Sequence, residues 1–488
     1  MPRGYPAPVR QTDRDRHRSS TVRPDSGWLP AHAPPLTSTG ANPSLTHPCK
    51  RRTQAFRLQA ALRSVTYPTV DGKPGRRLRA GSGHAGRSVM SIPLRHPPHH
   101  ALLPVGLPDV LPPDADHEAA LVERLMAGFA DHGYQRVKPP LLEFTDSLLA
   151  GTDETLAHQT FRVMDPLSGK MMGIRPDFTP QVARIAASRL VHAPRPLRLA
   201  YAGQVLRVSG SQLRPEREFG QVGVELIGTD RPEADAEMIL LAAHSLADLG
   251  VAHLSVDLCV PTLVPTLCRA WGLDPVVTAR LRQALDRKDA AGVAAVGGEA
   301  ALVLGQLMAA AGLATGALAT LEAIALPAAA ESDRRHLAQV VRLVHDGAPD
   351  LMLTIDLVEY RGFEYQDGVS FTLFSRGVGG ELGVGGRYRA GATRESVSTG
   401  IGGEPATGFT LYADTVVKAA PPPVVRPRVY LPHGTDPATA GRLRAEGRVT
   451  VAGLAPIDEA AADDEARRLG CALILASGTV RPVGRVGD

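Results

Sequence analysis

Between residues 114 and 143 the spacing of apolar positions changes once, from a helical period to an extended run, and predicts a helix followed by a strand. Ala119, Leu121, Val122, Leu125, Met126 and Phe129 recur at three- and four-residue steps behind Asp114, which is placed to cap a helix starting about Ala115. Glu118 lies in the first turn, where an acid complements the helix dipole, and Gly133 ends the element. Tyr134–Glu143 then reads as a strand that Pro139 and Pro140 confine to a sheet edge or a bulge. Further strands are expected at Met171–Ile174, Leu197–Val208, Gln221–Ile227 and His253–Val260, with helices at Thr179–Leu190 and Pro232–Leu249.

From Pro261 to about Val344 the chain turns to Ala, Leu, Arg and Gly at helical spacing with no strand signal, which predicts a helical insertion. Strands return at Met352–Val358 and Val369–Ser375, and Gly377–Gly386 reads as a glycine-rich turn. The proline-rich stretch from Ala419 to Pro427 is a stiff linker and a domain boundary. Beyond it, strands at Arg428–Leu431, Val449–Leu454 and Ala472–Ala476 alternate with helices, one of them Asp458–Leu469, as in a small α/β unit with a parallel sheet.

Composition changes this picture mainly at the N-terminus. Residues 1–90 are rich in Arg, Pro, Ser, His and Gly without sustained periodicity, so they are expected to be disordered. Either they are a leader, for which the proline content spoils an amphipathic transit helix, or they are an upstream reading-frame artefact with Met90 as the start. The whole chain has 54 Lys and Arg and 50 Asp and Glu; residues 1–90 hold 16 and 4 of these, which leaves 38 and 46 for the rest. The folded part is therefore acidic, and its charge gives no support to nucleic-acid binding. No apolar run is long enough for a membrane helix. Cys49, Cys259, Cys268 and Cys471 fit neither a disulfide framework nor metal-ligand spacing, so they read as reduced thiols of a cytoplasmic protein without a metal.

Four short strings carry the chemistry: Gly173-Ile-Arg175-Pro176-Asp177-Phe-Thr179, Gln221-Val-Gly223-Val-Glu225-Leu-Ile-Gly228, Arg361-Gly362-Phe-Glu364-Tyr365 and Gly385-Gly386-Arg387-Tyr388. A free amino acid presents an ammonium, a carboxylate and a side chain, so its pocket needs an acid, a base or amide, and a side-chain reader. Asp177 and Thr179 suit the ammonium, with Gln221 bridging toward the carboxylate. Glu225 follows Gln221 by four residues, so on a strand the two share a face, and its carboxylate suits an imidazole N–H. Arg361 suits the carboxylate, and Tyr365 or Gln366 suits closure over the ring. Taken singly, each string also fits a purely structural role.

That ordered set resembles the catalytic domain of histidyl-tRNA synthetase over residues 103–415, with the helix and proline-bearing strand at 115–143 similar to the dimer-forming first motif of class II. The resemblance implies an α+β fold: a class II aminoacyl-tRNA synthetase-like antiparallel sheet flanked by helices, with a helical insertion and a small C-terminal α/β unit. The expected parts are a first part of the synthetase-like domain at 103–260, the insertion at 261–345, a second part at 346–418 and the C-terminal unit at 428–488. It also implies a histidine site of Asp177, Thr179, Arg207, Gln221, Glu225, Arg361 and Tyr365.

Activation of an amino acid requires ATP to be held bent and its phosphate charge neutralised. The synthetase's second motif, Phe-Arg-x-Glu-Arg-Pro, is replaced by Val205-Leu206-Arg207-Val208-Ser209-Gly210, which keeps Arg207 but neither the acid nor the second base. In the third motif Tyr412 stands for a glycine and Thr415 for the arginine. Loss of one such arginine removes on the order of 3 kcal/mol of transition-state stabilisation, about a hundredfold in rate. The segment after Pro427 is short for an anticodon-binding domain and holds Tyr430 as its single aromatic, so no tRNA partner is expected. A retained amino-acid pocket without ATP chemistry is similar to the regulatory subunits of ATP phosphoribosyltransferase. The resemblance implies a non-catalytic subunit without cofactor, a short-form catalytic subunit as partner, a dimer within a hetero-octamer, and histidine as ligand in this pocket, at a subunit interface, or at both. The alternative is an active histidyl-tRNA synthetase with degenerate motifs.

Overall fold

The computed structural model describes residues 102–150, 152, 154–211, 214–359, 366–391 and 402–484. The predicted leader at 1–90 and the expected site residues Arg361 and Tyr365 lie outside them. The largest sheet among the described residues has β1 (Gln135–Arg136), β2 (Leu197–Leu206), β3 (Glu218–Ile227), β4 (Leu254–Cys259), β5 (Gly312–Leu313), β6 (Met352–Ile355), β7 (Gln366–Ser375), β8 (Gly383–Ala390) and β9 (Glu404–Tyr412). Their spatial order is β1-β2-β3-β9-β8-β7-β4-β6-β5. The six strands from β2 to β4 run antiparallel, and parallel pairing is confined to β1 with β2 and β4 with β6. This is the α+β, class II synthetase-like architecture that the sequence resemblance implied.

Alternation along β3 assigns the two faces of the sheet. Val222, Val224 and Leu226 join Leu125 and Phe129 of the helix Asp114–Asp131 and Met238 and Leu246 of the helix Pro232–Asp248 in the main core. Phe129 meets Phe409 of β9 edge to face with ring centroids 5.6 Å apart. On the opposite face, Phe178 and Val182 pack with Tyr201, Phe219, Tyr388 and Tyr412 in a second, aromatic cluster. Burial of one large apolar side chain stabilises by roughly 1.5–3 kcal/mol, so both faces of the sheet contribute to holding it in the fold.

Several local expectations need correction. Asp114 is the first helical residue rather than its cap; Pro113 precedes it in helical geometry, and Asp114 and Asp116 act through the dipole of the first turn. Gly133, at φ +83°, does end the helix in the left-handed conformation that glycine adopts without strain. The strand expected at Tyr134–Glu143 divides into β1 and a short strand, Leu142–Phe144, in a separate three-stranded sheet with Met171–Ile174 and Arg162–Met164. Pro139 and Pro140 have no N–H for a ladder, and their carbonyls accept from Arg175 Nη1 (3.2 Å) and Gln181 Nε2 (2.8 Å) instead.

The segment expected to be wholly helical also contains β5, which pairs antiparallel with β6. The end of the glycine-rich turn is strand: Gly383, Gly385 and Gly386 lie in β8, where a side chain on Gly385 would meet the Phe371 ring. After Pro427, strands Arg428–Leu431, Val449–Ala452 and Leu473–Ala476 pair parallel as expected, but a fourth, Thr479–Pro482, returns antiparallel. Among the described residues no helix is long and apolar enough to cross a membrane, and no cluster of His, Cys, Asp or Glu suits a metal ion.

Candidate functional site

A cavity of about 510 Å³ opens on the aromatic face of the sheet. Asp177, Thr179, Arg207 and Glu225 of the expected set line it, together with Arg214, Phe219, Gln366, Glu381, Tyr388, Gly408, Thr410 and Tyr412. Gln221 is fully buried behind this wall. Its amide donates to Asp177 Oδ2 (2.8 Å) and its carbonyl oxygen accepts from the Phe178 backbone (3.1 Å). Asp177 in turn accepts from the Thr179 backbone (3.0 Å), and Arg207 Nη2 lies 3.5 Å from Asp177 Oδ2. The turn before the helix Thr179–Ser188 is thus held from both sides, and the helix starts with its hydroxyl turned toward β3.

Glu225 is the centre of a hydroxyl cage. Thr179 Oγ1 and the Tyr201 hydroxyl donate to Oε1 at 3.0 and 3.2 Å, and the Tyr388 hydroxyl donates to Oε2 at 2.9 Å. Tyr201 also shares a 2.6 Å hydrogen bond with Thr410. Among the described residues no arginine or lysine pairs with the carboxyl, and desolvation outweighs the three hydrogen bonds and pushes its pKa up to about 8. Burial, then the neighbouring Glu225 charge, raises Tyr201 well above the usual phenol range. The result is an uncharged acid at neutral pH, able to donate a proton to a basic ring nitrogen or, once ionised, to hold a cationic one.

Glycines give the carboxyl its room. A β-carbon on Gly223 would meet the Tyr201 hydroxyl at 2.5 Å, and one on Gly408 would strike Glu225. Tyr388, Tyr201 and Thr410 were absent from the expected site, although Tyr388 closes the Gly-Gly-Arg-Tyr string and alternation on β8 turns it away from Arg387; Gln366, the alternative to Tyr365 for closure over the ring, does line the cavity. Arg387 itself is not in the cavity. It grips the helix Pro232–Asp248, donating twice to Asp235 Oδ2 (3.0 and 2.7 Å) and to the carbonyls of Thr229 and Arg231. Arg175 is likewise structural, with its guanidinium 3.9 Å from the Phe178 ring centroid and its Nε on the Gln204 carbonyl.

At the other end of the cavity the altered motifs meet. Thr415, where the synthetase-like pattern expects an arginine, is buried, and its hydroxyl accepts from Arg214 Nη2 at 3.2 Å. Arg214 also reaches Asp414 (3.4 Å) and Glu381 (3.3 Å), so two carboxylates already balance its charge.

The histidyl-tRNA synthetase family model matches residues 106–416. An ATP phosphoribosyltransferase regulatory subunit from Rhodospirillum centenum is 58% identical over 386 residues, 79% of this chain and 97% of that protein. One from Paramagnetospirillum magneticum is 56% identical over 375 residues, covering 76% and 95%. A crystal structure from Bacillus halodurans, described as an ATP phosphoribosyltransferase regulatory subunit/histidyl-tRNA synthetase, superposes with a TM-score of 0.64 at 24% identity over 75% of this chain and 97% of that one.

Proposed function

The chain belongs to the family of ATP phosphoribosyltransferase regulatory subunits, built on the histidyl-tRNA synthetase fold, and from that premise we propose that it is a non-catalytic histidine sensor. As a regulatory subunit of this enzyme it serves the first step of histidine biosynthesis, in complex with a short catalytic subunit. The observation that carries the sensor reading is the contrast within one cavity. The Asp177, Thr179, Gln221 and Glu225 network offers acceptors to an ammonium and an imidazole, whereas the buried Thr415 and the charge-balanced Arg214 offer no cation to a triphosphate. Arg207 faces a ligand carboxylate from the Asp177 side, and Arg361 and Tyr365 complete the proposed set.

Regulation by histidine follows from linkage: the ligand inhibits when the inactive arrangement of the complex binds it more tightly, with typical couplings of about 1–3 kcal/mol. Self-association is proposed through the three-stranded sheet, which leaves Leu142, Phe144, Val163, Met164 and Met171 exposed. In this reading the working assembly is a cytoplasmic hetero-octamer of four regulatory and four catalytic chains that binds no tRNA.

The test is to mix the purified chain with a short ATP phosphoribosyltransferase and follow phosphoribosyl-ATP formation. The rate rises on mixing and falls when histidine is added. Histidine-dependent exchange of pyrophosphate into ATP by the chain alone overturns the non-catalytic reading.

A further inference from the structure

Arg214 stands in an aromatic corner. Its guanidinium carbon is 3.7 Å from the Tyr412 ring centroid and 5.0 Å from that of Phe219, and the two rings meet edge to face. The side chain is 8% exposed. Its edge donates to four acceptors: Nε to Asp414, Nη1 to the Glu381 carboxylate, and Nη2 to the Glu381 carbonyl and the Thr415 hydroxyl. A flat, charge-delocalised group thus lies over an aromatic face with N–H donors around its rim. The same corner lines the cavity that holds Glu225.

The stereochemical requirements of that corner, a planar π-face and peripheral N–H donors, are also those of an amino-substituted heteroaromatic ring such as a purine base. We infer that Arg214 is an internal ligand: by filling the corner formed by Phe219 and Tyr412 it bars nucleobases from the cavity and restricts it to small amino acids. Two features make the occupant the chain's own rather than a place held open. The donors match acceptors on Glu381, Asp414 and Thr415 from two separate segments of the chain, and among the described residues the two carboxylates, which would repel a phosphate, share this one guanidinium as their ion-pair partner. Arg214 is thereby a specificity-determining residue of the proposed histidine site, on which this inference rests.

The probe is adenosine, a neutral nucleoside that separates base recognition from phosphate charge, titrated calorimetrically into the full chain alongside histidine. Wild type is expected to take histidine and give no adenosine heat. R214A empties the corner, and adenosine affinity rises by about tenfold or more over the wild-type limit, the scale of one base stacked on one aromatic ring. R214K retains a cation between Glu381 and Asp414, preserves folding, and still removes the planar head, so it too admits adenosine. Folded R214K that binds adenosine no better than wild type overturns the inference, as does wild type that binds it already. Loss of histidine binding by wild type strikes instead at the sensor reading, so the two failures are told apart in one set of samples.

Discussion

A β-carbon on Gly408 would be placed against Oε2 of Glu225, with the Val224 carbonyl 2.5 Å away on the facing strand. β9 and β3 are paired at this point, Gly408 opposite Glu225, so neither backbone can yield without breaking the ladder. Gly408→Ala therefore displaces the carboxylate from its hydroxyl cage. Histidine affinity measured by calorimetry is expected to fall below detection, with a loss of about 1–3 kcal/mol in urea unfolding from the overpacked strand.

Glu225→Gln tests the carboxyl itself. An amide cannot hold the proton that the carboxyl and the imidazole share, and the loss of that charge-assisted hydrogen bond is expected to cost about 1.5–3 kcal/mol in histidine binding. The substitution also removes a pH dependence. The folded pKa is raised to about 8, above an unfolded value near 4.3, so the folded state holds the proton longer. The wild-type contribution is intact below the unfolded value and declines as pH rises toward the folded one. Thermal unfolding should show the Gln variant gaining on wild type between those limits.

The bound ligand and Glu225 are expected to share one proton, which shapes affinity against pH. Below about pH 6.5, imidazolium meets a protonated carboxyl and binding expels a proton. Above pH 8 or so, neutral imidazole meets a carboxylate and binding takes one up. Histidine affinity should hold a plateau between these limits and fall by about tenfold per unit outside them. A flat profile from pH 5 to 9 would place the ring away from Glu225.

Asp235 joins three elements: it accepts from Arg387 of β8 and bonds His336 Nε2 at 2.6 Å on the helix Glu331–Gly347. Asp235→Ala leaves the Arg387 guanidinium buried without its carboxylate, and about 3–5 kcal/mol of stability should be lost in urea unfolding.

Met164→Asp, at an exposed position of the three-stranded sheet, puts a charge in the proposed self-association face. Sedimentation should shift toward the single chain while the thermal transition of the fold is retained. An unchanged mass would remove that sheet from the interface.

The chain's periodicity revealed elements whose burial follows one rule, such as the helices Thr179–Ser188 and Pro232–Asp248, to within two residues of their ends. It failed where a neighbour decides. β8 was hidden because its glycines carry no apolar pattern; they are strand residues because Phe371 and β9 fill the space where side chains would be. The acids and amides of the cavity were legible because Asp177, Gln221 and Glu225 sit in short strings at fixed intervals. Tyr201 and Thr410 were not, since a tyrosine or threonine inside an apolar strand reads as filling until the fold turns its hydroxyl toward Glu225. Arg214 lies in a loop whose pattern has no period, and its role arises from acceptors about 170 and 200 residues away in sequence.

Pro139 and Pro140 leave their carbonyls to be answered by Arg175 and by Gln181, and Gln181 stands one half-turn beyond Thr179 on the same helix. The helix that points a hydroxyl at Glu225 is thereby riveted to the backbone leading into the outer sheet. Gln181 Nε2 donates as well to Glu143 Oε1 (2.9 Å) in that sheet, so a single amide fastens the helix carrying Thr179 both to the proline pair and to the strand that follows it, and its removal would loosen both fastenings at once.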